Sequence, residues 1–122
     1  MAINLGKQGE RWAEQFLKKQ GFNIEARNYR TVFGEIDLVV RRQHQLVFVE
    51  VKTRSSTAFG SGEEAITTEK KKRLTMAALH YLKCRGHPND EPIFGVVAVG
   101  FEAGQFSGAL HLGAFEAEWG YG

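Results

Sequence analysis

Asp37, Glu50 and Lys52 have the residue types and spacing to do chemistry. Asp37 lies in the run Gly34-Glu35-Ile36-Asp37-Leu38-Val39-Val40, and the other two lie in Leu46-Val47-Phe48-Val49-Glu50-Val51-Lys52. Both runs are rich in β-branched and aromatic residues, and the polar Arg41-Arg42-Gln43-His44-Gln45 separates them, so they read as a β-hairpin. A turn centred on Gln43-His44 sets Asp37 opposite Glu50, Glu35 opposite Lys52 and Val39 opposite Phe48. Facing carboxylates with Cβ atoms about 5 Å apart repel each other. A divalent cation is the sharpest candidate to offset that repulsion.

Such a set suits phosphodiester cleavage. The reaction needs a nucleophilic water, neutralisation of charge on the transition state and help for the leaving oxygen. A hard cation held by one or two carboxylates supplies much of this, and Mg²⁺ (or Mn²⁺) keeps several waters while doing so. Asp37 and Glu50 offer hard oxygen ligands, and the Val51 carbonyl between Glu50 and Lys52 offers a third. Lys52, on the same face as Glu50, can orient the water or stabilise phosphate charge. Glu10 would complete the ligand shell from another element. The competing reading is an ordinary solvated face, with Glu35 and Lys52 as a cross-strand ion pair worth less than ~1 kcal/mol. Val39 and Phe48 on that face argue that it is covered, and a charge at the edge of a covered face is costly to leave unpaired.

Period-two alternation places Ile36, Leu38, Val40, Val47, Val49 and Val51 on one wholly apolar face of the hairpin. Residues 4–20 read as an amphipathic helix with Leu5, Trp12, Ala13, Phe16 and Leu17 on its apolar arc. Gly21 is placed to end it. Glu10 falls at the margin of the stripe, where it either projects toward the hairpin acids or snorkels to water. Glu14 is further round and reads as solvated. Residues 22–28 form a first strand, and Phe33-Gly34 turns the chain into the hairpin. The polar stretch 53–62, rich in Gly and Ser, reads as a loop. A second helix spans about Thr68 to Arg85, with Leu74, Ala77, Ala78, Tyr81 and Leu82 inward. Lys70 and Lys71 share that arc at its first turn, so they either reach past the packing to an anionic site or cap the edge of the core. Residues 93–100 and 108–112 read as strands, and 116–122 as a tail docked through Trp119. The order α-β-β-β-α-β-β favours an α/β fold with a mixed central sheet flanked by helices.

Composition narrows the class further. A chain of 122 residues with 43% hydrophobic and 25% charged residues is one globular domain, set here at 1–115. No apolar run approaches a membrane span, and the N-terminus lacks a signal-peptide core. The single Cys84 fits a reducing cytoplasm, and the four histidines show no zinc-ligand spacing. The net charge of +2 hides an asymmetry. All 16 Lys and Arg residues precede position 86, giving residues 1–86 a net +7, whereas 87–122 carry −5. A basic body suits a polyanionic substrate, with Arg30, Arg54, Lys70 and Lys71 as the phosphate contacts expected around the acids.

The residues Asp37 and Glu50-Val51-Lys52 resemble the PD-(D/E)xK signature of the restriction-endonuclease-like superfamily. The wider pattern is more specific: Gly6…Gly9-Glu10…Ala13…Leu17…Gly21-Phe22…Arg27-Asn28, Gly34-Glu35-Ile36-Asp37-Leu38, Phe48 to Arg54, Phe59-Gly60 and Lys70. It resembles the bacterial YraN-type (UPF0102) family over roughly residues 4–85. The resemblance implies a small cytoplasmic, Mg²⁺- or Mn²⁺-dependent nuclease, similar in layout to archaeal Holliday-junction resolvases and acting on branched or structured DNA. It maps Glu10, Asp37, Glu50 and Lys52 onto the acids and lysine of the metal site, with Lys70 beside it. It leaves open a homodimer and a non-cleaving nucleic-acid-binding or protein-interaction module. One departure is Ile93-Phe94-Gly95-Val96-Val97, where such proteins often read Arg-Phe-Asp-Val-Val.

Overall fold

A computed structural model describes residues 4–55 and 66–113. The elements run α1 (Leu5–Lys19), β1 (Asn23–Arg30), β2 (Glu35–Arg42), β3 (Gln45–Ser55), α2 (Thr68–Arg85), β4 (Glu91–Glu102) and β5 (Gln105–Leu112). This is the expected order. The strands form one five-stranded sheet in sequence order, parallel between β3 and β4 and antiparallel elsewhere. The parallel step follows from α2, since two parallel neighbours need a crossover between them. The result is a restriction-endonuclease-like α/β fold with a mixed central sheet.

Each helix covers one face of the sheet. Ala13 and Leu17 of α1 pack with Phe22, Leu38, Val40, Val47, Val49, Val97 and Val99. Leu74, Ala77, Ala78 and Tyr81 of α2 pack with Ile36, Val39, Leu46, Phe48 and Phe94 on the other. β3 and β4 contribute to both clusters, so their strands read as apolar runs rather than clean alternations. Asn4 caps α1 by accepting from the Lys7 amide at 3.1 Å, and Thr67 caps α2 by accepting from the Lys70 amide at 3.1 Å.

The hairpin turn falls on Gln43-His44, with Arg42 paired to Gln45, Val39 to Phe48 and Leu38 to Val49. The expected register holds from the turn to Leu38–Val49 and stops there, so Asp37 does not pair with Glu50 as expected. Of the expected apolar face, Leu38, Val40, Val47, Val49 and Val51 stay together and only Ile36 leaves it. Ile36 packs under α2, while Leu38, two residues on, packs under α1. Alternation breaks at Asp37, and Leu38–Val49 is the last pair of the β2–β3 ladder. The cross-strand pair of Glu35 with Lys52 does not form; Glu35 belongs to the β1–β2 ladder opposite Arg30. Such a break in alternation sends residues two apart to opposite faces, which a period-two reading cannot foresee.

Three further expectations change. Thr53, Arg54 and Ser55 belong to β3 rather than to a loop, because β4 pairs with them through Val99, Gly100 and Phe101. The last two strands are longer than predicted and join in a tight hairpin, with Ala103 and Gly104 at φ 52° and 76°. Glu14 is not solvated: its side chain is 14% exposed and accepts from Arg27 Nε at 3.0 Å. The loop reading of 56–62 and the tail at 116–122 with Trp119 lie outside the described residues. Among the described residues no helix is long and apolar enough to cross a membrane.

At the end of the sheet remote from the acids, Arg41 of β2 bridges Glu25 of β1 at 2.5 Å and also bonds Asp90 ahead of β4. Tyr81 of α2 donates to Glu25 at 2.5 Å, and Asp90 accepts from the His87 amide at 2.8 Å. Nothing in the local spacing of these residues announces the network.

Candidate active site

The site forms where β2 parts from β3. Past Leu38–Val49 the ladder ends, and the Val51 amide, which faces β2, donates instead to the Asp37 carboxylate at 2.8 Å. The side chain thus takes over from the backbone at the fork, and a carboxylate is held in the mouth of the split. Burial is the largest influence on it. Burial pushes the Asp37 carboxyl up to about 6; the Val51 hydrogen bond opposes the rise, and Glu50, Glu10 and Glu35 add to it.

Glu10 arrives from α1 through a close approach of backbone to strand. A Cβ on Gly9 would lie 2.1 Å from Thr53 Oγ1 and 2.9 Å from Thr53 Cγ2, so only glycine lets α1 settle this near to β3. Glu10 and Asp37 then line one open cleft of about 430 Å³ together with Gly6, Lys7, Glu50, Val51 and Thr53. Lys7 is the residue that sequence reading missed. It lies on the polar side of the helix, yet it lines the cleft and the hollow beside it. Asn28 and Arg27 meet Glu10 and Asp37 in an adjoining hollow.

Glu50 alternates with Phe48 in β3, which turns it toward α2. There Lys70 Nζ meets Glu50 Oε1 at 2.6 Å. The expectation that Lys70 reaches past the packing to an anionic site is met, and the anion is the protein's own. Lys52 and Arg54 follow Glu50 at two-residue steps on the same side of β3, both half-buried. Lys71 is half-buried in the first turn of α2, and Arg30 lies exposed at the end of β1, 3.5 Å from Glu35. Thus Glu10, Asp37 and Glu50 share one cleft, whereas Lys52 and Arg30 are not among the residues that line it.

Among the described residues no three His, Cys, Asp or Glu side chains are drawn together as a ready-made coordination sphere. The donors are nonetheless of the right chemistry for a hard divalent cation: carboxylate oxygens, one of them held partly dehydrated among other acids. The ammonium of Lys70 meanwhile supplies the positive charge that Glu50 requires.

The departure at Ile93-Phe94-Gly95 has a packing counterpart. A Cβ on Gly95 would lie 3.0 Å from Val47 Cγ1, so this strand runs close against β3 with no room set aside for a side chain.

Comparison with known proteins places the chain. A UPF0102 protein of Desulfosudis oleivorans is 48% identical over 94 residues, spanning 77% of this chain and 76% of that one. One of Syntrophomonas wolfei is 48% identical over 105 residues, spanning 86% and 91%. The solved structure of Pyrococcus furiosus SfsA in complex with Ca²⁺ aligns at 10% identity and TM-score 0.43, covering 84% of this chain and 62% of that one, too loose a likeness to carry weight. Residues 9–99 match the uncharacterised protein family UPF0102, and the chain belongs to that family.

Proposed function

We propose that the protein is a metal-dependent nuclease that hydrolyses phosphodiester bonds, with branched or otherwise structured DNA as its substrate. The observation that carries this reading is the placement of Asp37. Its carboxylate is fixed by the Val51 amide in a partly dehydrated fork, with Glu10 and Glu50 lining the same cleft. Holding an acid where its charge is disfavoured costs stability, and such clusters of perturbed groups concentrate at functional sites. Asp37, Glu50 and Glu10 would hold a Mg²⁺ or Mn²⁺ ion. When bound, it would supply neutralisation of phosphate charge and a water of lowered pKa. In this reading Lys52 would hold phosphate charge, and Arg30, Arg54 and Lys71 would contact the backbone of the nucleic acid, as Lys70 would once free of Glu50.

One observation favours a second reading, a binding module that does not cut. Glu50 is already neutralised by Lys70 at 2.6 Å, so the acid pair has a partner without any metal.

The two readings separate in one experiment. Linear, flapped and four-way-junction DNAs are incubated with Mg²⁺ or Mn²⁺ and either wild-type protein or the Asp37→Asn variant, with metal binding followed by calorimetry. The nuclease reading expects cutting by wild type only, with DNA affinity retained in the variant. No cutting and no metal binding by wild type would leave the binding module as the better account.

A further inference from the structure

We propose that the β1–β2 turn is a wedge that inserts into nucleic acid at unstacked bases, an inference that rests on the reading of the cleft as a nucleic-acid site. At this turn Val32 is 95% exposed and Phe33 39%, two of the three large hydrophobic residues exposed among the described residues. Scattered exposed apolar residues are unremarkable. These two are adjacent, at the tip of a turn that is tied down. The Thr31 amide donates to the Gly34 carbonyl at 2.9 Å, and Thr31 Oγ1 donates to the same carbonyl at 3.0 Å. That hydroxyl oxygen in turn accepts from the Phe33 and Gly34 amides at 3.0 and 3.2 Å. The tip is thus held in one shape, and presenting it entails little ordering cost.

Its surroundings say what it fits. The turn abuts the basic start of α2: a Cβ on Gly34 would lie 3.5 Å from Arg73 Cβ, within the run Lys70-Lys71-Lys72-Arg73. Arg30 precedes it, and Glu35, which follows it, acts on the Asp37 carboxyl. A pair of apolar side chains flanked by cations complements a ligand that presents apolar faces within a polyanion. A stacked duplex hides those faces, whereas a bubble, flap or branch point exposes them, and apolar wedges that enter base steps work in this way. The turn would then select where the cleft engages.

The test measures affinity by fluorescence anisotropy in EDTA, so that no cleavage intervenes. It compares a fully paired duplex with the same duplex carrying a central unpaired bubble, for wild type and for Val32→Ser/Phe33→Ser. Wild type should prefer the bubble. The double variant should lose about ten-fold on the bubble, as expected for one lost stacking contact, and little on the duplex. Equal loss on both, or no preference in wild type, overturns the proposal. A wild-type dimer that becomes monomeric in the variant by sedimentation would also overturn it, since the tip would then bind a second copy. Asp37→Asn should keep the bubble preference, so a failed nuclease reading and a failed wedge give different results.

Discussion

At the residue scale, Asp37 makes stability depend on pH. Its carboxyl is raised from 3.8 to about 6 in the folded chain, so the folded state holds the proton more tightly than the unfolded one. Below about pH 3 both states are protonated and the residue costs nothing. The cost grows mainly between pH 4 and 6 and is complete above, on the order of 2–3 kcal/mol. Asp37→Asn keeps an oxygen for the Val51 amide and removes the charge. Urea unfolding should therefore show the variant more stable than wild type at pH 7.5, with the gain shrinking through pH 4 and vanishing by about pH 3. A gain independent of pH would mean that charge is not the cause. Lys70 yields a second expectation at this scale. Its ammonium occupies Glu50 at 2.6 Å and must leave if Glu50 is to hold a cation. Lys70→Met should therefore tighten Mn²⁺ binding several-fold in calorimetry, whereas unchanged or weaker binding would show that the pair does not compete with metal.

At the element scale, the register of α1 on β3 brings Glu10 to the cleft. Gly9→Ala forces a methyl into Thr53 Oγ1, where 2.1 Å is available, and the helix must shift. Overpacking of this kind costs about 1–3 kcal/mol. The variant should lose stability and, if Glu10 holds metal, metal affinity as well. Thr53→Ala in the same chain removes both the hydroxyl and the methyl in the way and should restore much of each. A double-mutant cycle checks the coupling, and additive effects would show that the two residues do not meet as described.

At the scale of the whole molecule, the Arg41 network ties β1, β2, α2 and the segment before β4 together at the end opposite the cleft. Asp90 is held below the usual carboxylate range first by its hydrogen bond from Arg41, then by the His87 amide against the opposing effect of burial. At Glu25 burial pushes the carboxyl up, but bonds from Arg41 and Tyr81 outweigh it. Both acids thus add stability that is present at neutral pH and is lost as the pH falls through their lowered values. Arg41→Met leaves two carboxylates without their cation and should cost about 2–4 kcal/mol at pH 7, with less loss near pH 3. Thermal melts at both pH values check it. Metal or DNA affinity should barely change, because the network lies far from the fork.

Sequence alone determined the order of elements, the turn at Gln43-His44 and the hairpin register as far as Leu38–Val49, because alternation, turn chemistry and helical periodicity are local. It also singled out Asp37, Glu50, Lys52 and Glu10, since acids bordering apolar runs stand out without any knowledge of the fold. Tertiary structure decided the rest. The fork at Asp37 depends on β2 pairing with β1 after it has left β3, so Ile36 and Leu38 part to opposite faces. Thr53 to Ser55 became strand because β4, more than 40 residues on, offers partners. Lys70 met Glu50, and Lys7 and Glu14 met the cleft and Arg27, through the way each helix lies across the sheet. Those encounters are set by packing between distant segments, and no window of sequence contains both partners.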